Sequence, residues 1–186
     1  MTHLNNVNAR PLRRKWLPLL LLTLSAVLLL SACGQNDAAS SSGQTASAKP
    51  APQFDLKDLS GSEVKLADFK GEKVYIKYWA SWCSICLAGM EELNTLAGQD
   101  NDYKVISIVA PNFKGEKSEA DFKKWYAGLD EKNTTVLLDQ DGKYAQQLGV
   151  RAYPTSFYID SNGGLAKTVP GHNANDVIAT NINDIP

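Results

Sequence analysis

Cys83 and Cys86, separated only by Ser84 and Ile85, are the residues in this chain best suited to chemistry. The apolar run Val74 to Trp79 leads into them through Ala80, Ser81 and Trp82, and a helical pattern begins at the second cysteine. Free backbone N–H groups and the positive end of a helix dipole favour the thiolate of the first sulfur, which is the reactive form. Two intervening residues let the second sulfur reach the first and close a disulfide within one helical turn. Zinc binding and an inert core pair are the competing readings. No second CxxC and no paired histidines follow, so zinc would find only two plausible ligands. Reversible dithiol–disulfide chemistry, without metal or cofactor, is the expectation.

The beginning of the chain indicates where this chemistry takes place. Arg10, Arg13, Arg14 and Lys15 form a basic patch, followed by an apolar run from Trp16 to Leu30 and then Leu30-Ser31-Ala32-Cys33-Gly34. The run is short for a membrane span and has the flanks of an export signal. Leu-Ser-Ala-Cys resembles a bacterial lipobox, which implies a signal peptide over residues 1–32 and a lipid on Cys33. The alternative is an uncleaved anchor in which Cys33 is an incidental thiol. Lipid on Cys33 also accounts for the odd cysteine of three, leaving Cys83 and Cys86 to pair with each other. All four basic residues of the signal would be lost on cleavage, leaving 15 basic against 20 acidic residues, a net −5. That balance argues against nucleic acid as a partner and against a polybasic membrane patch. The acyl chains would instead hold the protein on the extracytoplasmic side of a membrane of the bacterial envelope.

Residues 33–52 are mostly Ser, Ala, Gln, Gly and Asn and are expected to form a flexible tether. Residues 53–186 suffice for one domain with one core. Phe54–Leu56 and Glu63–Leu66 flank Ser60-Gly61 and predict a hairpin. Val74–Trp79, Lys104–Ala110 and Thr135–Leu138 predict strands. Cys86 to about Gly98 predicts a helix with Leu87, Met90, Leu93, Leu96 and Ala97 along one side. Ser118-Glu119-Ala120-Asp121 opens a helix through Tyr126, and Gly142–Leu148 predicts a short one ended by Gly149. Thr155–Ile159 and Leu165–Val169 flank Asp160-Ser161-Asn162-Gly163-Gly164, a hairpin signal, before a last helix at about Asn175–Asn183. Strands alternating with helices predict an α/β sandwich about a mixed sheet.

Trp82-Cys83-x-x-Cys86 after a strand, with Tyr153-Pro154-Thr155 opening a later one, resembles the thioredoxin fold: a mixed central sheet with helices on both faces. Pro52 through Gly61 and Asp68-Phe69-Lys70-Gly71 resemble the exported TlpA-like branch. Trp79-Ala80-Ser81-Trp82-Cys83 and Phe122 through Leu129 are similar to the thioredoxin-like domains that accompany secreted methionine sulfoxide reductases. The resemblance implies that Cys83 attacks a substrate disulfide and that Cys86 resolves the mixed disulfide. It also implies a cis Pro154 beside the sulfurs, the Tyr153 backbone available to a bound substrate segment, and Trp82 flanking the site. The implied activity is a thiol–disulfide oxidoreductase working in the reductase direction. Its electrons would come from a membrane thiol–disulfide carrier and pass to client disulfides, a secreted methionine sulfoxide reductase foremost. Cytochrome c maturation, dithiol oxidation and a non-catalytic lipid-anchored binding module are the alternatives.

Two positions depart from the family pattern. Lys77 stands six residues before Cys83, where ordinary thioredoxins place a buried Asp. Strand alternation puts Lys77 on one face with Tyr75 and Trp79, either under the active site, where its ammonium would favour thiolates, or snorkelling to solvent. Gly89 stands where some TlpA-like reductants carry a Glu. His172 follows Pro170-Gly171 and precedes a helix, so a loop or capping role is expected of it.

Overall fold

In a computed structural model, which describes residues 48–186, the chain forms one eight-stranded mixed sheet. The expected signal segment (1–32), the Cys33 lipid site and most of the expected tether lie outside the described residues. The strands are β1 (Lys49–Pro50), β2 (Asp55–Asp58), β3 (Glu63–Lys65), β4 (Lys73–Tyr78), β5 (Tyr103–Val109), β6 (Thr135–Leu138), β7 (Thr155–Ile159) and β8 (Gly164–Pro170), in the order β1-β8-β7-β4-β5-β6-β2-β3. β4 lies between β5, parallel, and β7, antiparallel, and five of its six residues are buried. Burial on both faces explains why its sequence is nearly continuous in large residues rather than alternating with polar ones.

Alternation along β4 assigns its two faces. Val74, Ile76 and Tyr78 pack with Tyr144 and Ala145 of helix α4 (Lys143–Leu148) and with Phe54 and Leu66 of the N-terminal segment. On the other face, Tyr75 meets Leu93 and Leu96 of α2 (Met90–Ala97) and Ile178 and Ile182 of α5 (Asn175–Asn183). Trp79 on that face meets Phe122 and Tyr126 of α3 (Glu119–Ala127). Helices thus cover both faces, as the thioredoxin-like pattern implies. Asp139 ties α4 to β4: its carboxylate accepts from Tyr78 Oη (2.5 Å) and from the backbone N–H groups of Tyr144 (3.0 Å) and Ala145 (2.8 Å). Ser118 caps α3 by accepting from Asp121 N, as its sequence pattern predicts.

The region after Cys83 differs from the expectation. In place of one helix from Cys86 to Gly98 there are two, α1 (Ser84–Ala88) and α2, and the first begins before Cys86. Cys83 itself is the N-cap: its sulfur accepts from Cys86 N, so the helical turn opens at Ser84. The ladder breaks at Gly89, which has φ −99° and ψ 14°. Leu87, counted on the apolar side, is exposed, whereas Met90, Leu93 and Leu96 are buried.

Candidate active site

The site is built where β4 ends and α1 begins. Cys83 and Cys86 form a disulfide with 5.2 Å between Cα atoms. Cys83 Sγ accepts the Cys86 amide at 3.2 Å, using one of the N–H groups that a helix start leaves without an internal partner. The sulfurs are not equally accessible. Cys83 is 7% exposed and Cys86 1%, so the first sulfur is a small opening in the surface rather than an open group.

Around that opening the surface is apolar. Trp82 is 51% exposed and Ile85 58%, with Leu87 beside them in the chain. Trp82 is therefore no core aromatic; its ring stands edge-on to Tyr153 at 5.5 Å. Tyr153 packs on the apolar cluster that holds both cysteines, and its peptide bond to Pro154 is cis. One groove of 470 Å³ lies elsewhere, along Asp55–Lys57 and Lys143–Gln147, and neither cysteine lines it. A sulfur at a shallow apolar surface suits a protein disulfide better than a small molecule, which would need a concave pocket. Among the described residues no group of three His, Cys, Asp or Glu side chains is arranged to hold a metal ion.

Lys77 takes the buried alternative. It is 3% exposed, pairs in register with Ser107 and Ser156, and points toward the break between α1 and α2. Desolvation pushes its ammonium down to about 8, against the opposing pull of the Glu92 carboxylate. A Cβ at Gly89 would lie 3.3 Å from Lys77 Nζ and 2.5 Å from both Cε1 and Nδ1 of His172. The imidazole thus occupies the room a side chain at position 89 would need. His172 Nε2 meets Glu92 Oε2 at 3.1 Å.

A group not foreseen from sequence braces the other side. Glu116, buried, accepts from Ser81 N (2.5 Å), Ser81 Oγ (2.6 Å) and Lys117 N (2.7 Å). Lys117 Nζ donates to Ser81 Oγ at 2.6 Å and lies 5.2 Å from the centre of the Trp125 ring. Together these bonds hold the β5–α3 connection against the residue just before Trp82. Glu116 sits in Lys114-Gly115-Glu116-Lys117, which reads locally as a solvated charged loop, and nothing in that run signals the contact.

Residues 46–182 match the family model described as Redoxin. The pneumococcal exposed lipoprotein thioredoxin Etrx1 from Streptococcus pneumoniae is 47% identical, with a TM-score of 0.70 over 72% of this chain and all of that one. The thiol-disulfide oxidoreductase ResA of Bacillus thuringiensis is 32% identical over 123 residues, 66% of this chain and 69% of that one. The N-terminal domain of PilB from Neisseria gonorrhoeae is 28% identical, with a TM-score of 0.65 over 69% and 87% of the two chains.

Proposed function

Because this chain belongs to the Redoxin family, within the thioredoxin superfamily, and is a thiol–disulfide oxidoreductase, we propose a finer assignment: a lipid-anchored, extracytoplasmic reductase of protein disulfides. The observation that carries it is the Cys83–Cys86 disulfide at a helix start, inside an apolar rim of exposed Trp82 and Ile85 and half-buried Tyr153. In the reduced protein the Cys83 thiolate attacks a client disulfide. A bond forms between Cys83 Sγ and one client sulfur, and the other client sulfur leaves as a thiolate. Cys86, having lost its proton, then attacks Cys83 Sγ and releases the second client thiolate. Two electrons pass to the client, and the Cys83–Cys86 disulfide remains. A membrane dithiol carrier restores the dithiol by the same steps in reverse.

The proposed client is a secreted methionine sulfoxide reductase, left after each repair as a sulfenic acid or disulfide that needs two electrons. The support is the likeness of Trp79–Cys83 and Phe122–Leu129 to the domains that accompany such enzymes. Mixing the reduced full chain with the oxidised reductase in a stopped-flow instrument should give thiol transfer well above that from an equal concentration of a small dithiol. Transfer no faster than the small dithiol would sink this client and leave the disulfide reductase activity standing.

Anchoring rests on Leu30-Ser31-Ala32-Cys33 and the division into signal (1–32), tether (33–52) and catalytic domain (53–186). The relative Etrx1 is itself described as an exposed lipoprotein. Cys33→Ala is expected to move the protein from the membrane fraction to the soluble fraction while its exchange rate in solution stays the same. A Cys33→Ala protein that still sediments wholly with membranes after signal cleavage would contradict the assignment.

A further inference from the structure

The proton of Cys86 has no obvious acceptor in the attack just described. Cys86 is almost fully buried, and desolvation opposes the thiolate it must become. Three residues on, where α1 ends, Gly89 leaves a gap. The gap is filled from across the fold by the His172 imidazole, brought in by the connection between β8 and α5. Glu92 Oε2 lies 3.1 Å from Nε2, so in a neutral imidazole the carboxylate favours the proton on that nitrogen and Nδ1 is the acceptor. Nδ1 is one of the two ring atoms set against Gly89, on the turn that carries Cys86. A base whose far nitrogen is oriented by a carboxylate is the arrangement that activates a nucleophile in unrelated enzymes.

We propose that His172 is the general base for Cys86 and that Glu92 is its positioning residue. The inference rests on the division of roles between Cys83 and Cys86 given above. As Cys86 Sγ bonds to Cys83 Sγ, its proton passes to Nδ1 and the bond between Cys83 and the client breaks. The client sulfur leaves with the electron pair and is protonated by the imidazolium or by water. In this step Cys86 is oxidised and the client sulfur is reduced, while Cys83 passes from one disulfide to the other. His172 and Glu92 are both partly exposed, so the proton can return to solvent between turnovers. The charged groups facing the imidazole are Glu92 from α2 and Lys77 from β4. Asn175, the first residue of α5, donates its side-chain amide to the Glu92 carbonyl at 2.8 Å. The first charged residue of α5, Asp176, accepts from Val177 N at its own helix start.

The test uses the reduced full chain carrying Cys33→Ala, so that Cys83 and Cys86 are its only thiols, and 5,5′-dithiobis(2-nitrobenzoate), followed by stopped flow. Attack by Cys83 releases the first coloured thiolate, and resolution by Cys86 releases the second. His172→Asn should leave the first phase unchanged and slow the second on the order of 100-fold near neutral pH. The deficit should close at alkaline pH, where the thiol ionises unaided. His172→Gly should recover the second phase when imidazole is added to the buffer, which a purely structural histidine would not allow. Glu92→Gln, which keeps the shape of the site, should slow the second phase more mildly. A second phase equal to wild type in His172→Asn at every pH overturns the inference, as does a slowed His172→Gly that added imidazole does not restore. A first phase that survives Cys83→Ser would instead overturn the assignment of the sulfurs.

Discussion

Cys83→Ser is expected to abolish disulfide exchange, whereas Cys86→Ser should attack clients once and stay covalently attached to them. The asymmetry follows from the local backbone. Cys83 is the N-cap of α1, and its sulfur already accepts the Cys86 amide at 3.2 Å. A hydrogen bond to a charged acceptor is worth about 1.5–3 kcal/mol, and a helix N-terminus adds about 0.3–1 kcal/mol for an anion. Both act more strongly on the Cys83 thiolate than on its neutral thiol, so they favour the attacking form. Cys86 lies deeper in the same apolar cluster, where desolvation works against its thiolate and a client disulfide cannot reach it. Non-reducing gels and intact-mass spectra after incubation with oxidised client proteins will decide. Mixed disulfides on the Cys83→Ser protein and none on Cys86→Ser would reverse the roles.

The legibility of this site in the sequence varied with how local each cause was. The end of a buried strand running into two cysteines and a helix is written in consecutive residues, so the disulfide and its supporting elements could be read directly. Likewise, the Ser118 cap and the Gly149 stop, at φ +70°, act within a turn of their own positions. The break at Gly89 could not be read that way. Hydrophobic periodicity continued through it, and the group that fills the gap, His172, lies 83 positions later in the chain. Leu87 fitted the same periodicity and yet is exposed beside the site, because a helix that begins at a reactive surface need not bury every apolar residue of its stripe. Alternation placed Lys77 on the correct face of β4 but left its burial open. Burial depends on α2 and the β8–α5 connection covering that face, which is a tertiary fact. Glu116 is the extreme case: its partner, Ser81, is 35 residues away, and its own neighbours carry charges that suggest solvent.

Lys77→Met should make the protein more stable and, at once, a slower though thermodynamically stronger reductant. Burial holds the lysine at about 8 in the folded protein, against 10.5 in an ordinary setting. That depression corresponds to a cost on the order of 3 kcal/mol for keeping the ammonium folded at neutral pH. Methionine retains the apolar stem and removes the charge, so a gain of about 1–3 kcal/mol is expected at pH 7, as when other buried charges give way to apolar groups of similar volume. The loss of attraction to Glu92 subtracts little, because that carboxylate is about half exposed. The pH dependence has a definite sign. Below about 8 the lysine is charged in both folded and unfolded chains, and the whole cost is present. Between about 8 and 10.5 the unfolded chain binds more protons than the folded one, so wild-type stability rises with pH relative to the variant. The advantage of Lys77→Met is therefore full below pH 8 and fades as pH approaches 10.5. The redox effect runs the other way. Lys77 Nζ lies against the turn that follows Cys86, where a cation favours thiolates and so stabilises the reduced state. Removing it should make the potential more negative, by about 30 mV for each 1.4 kcal/mol of stabilisation lost, and slow the resolving step. Urea unfolding of the oxidised protein at pH 7, 9 and 10.5 and equilibration in glutathione buffers measure the two effects separately. A variant less stable than wild type at pH 7, or an advantage that does not shrink with rising pH, would show that the buried ammonium carries no such cost. An unchanged potential would show that its charge is not felt at the sulfurs.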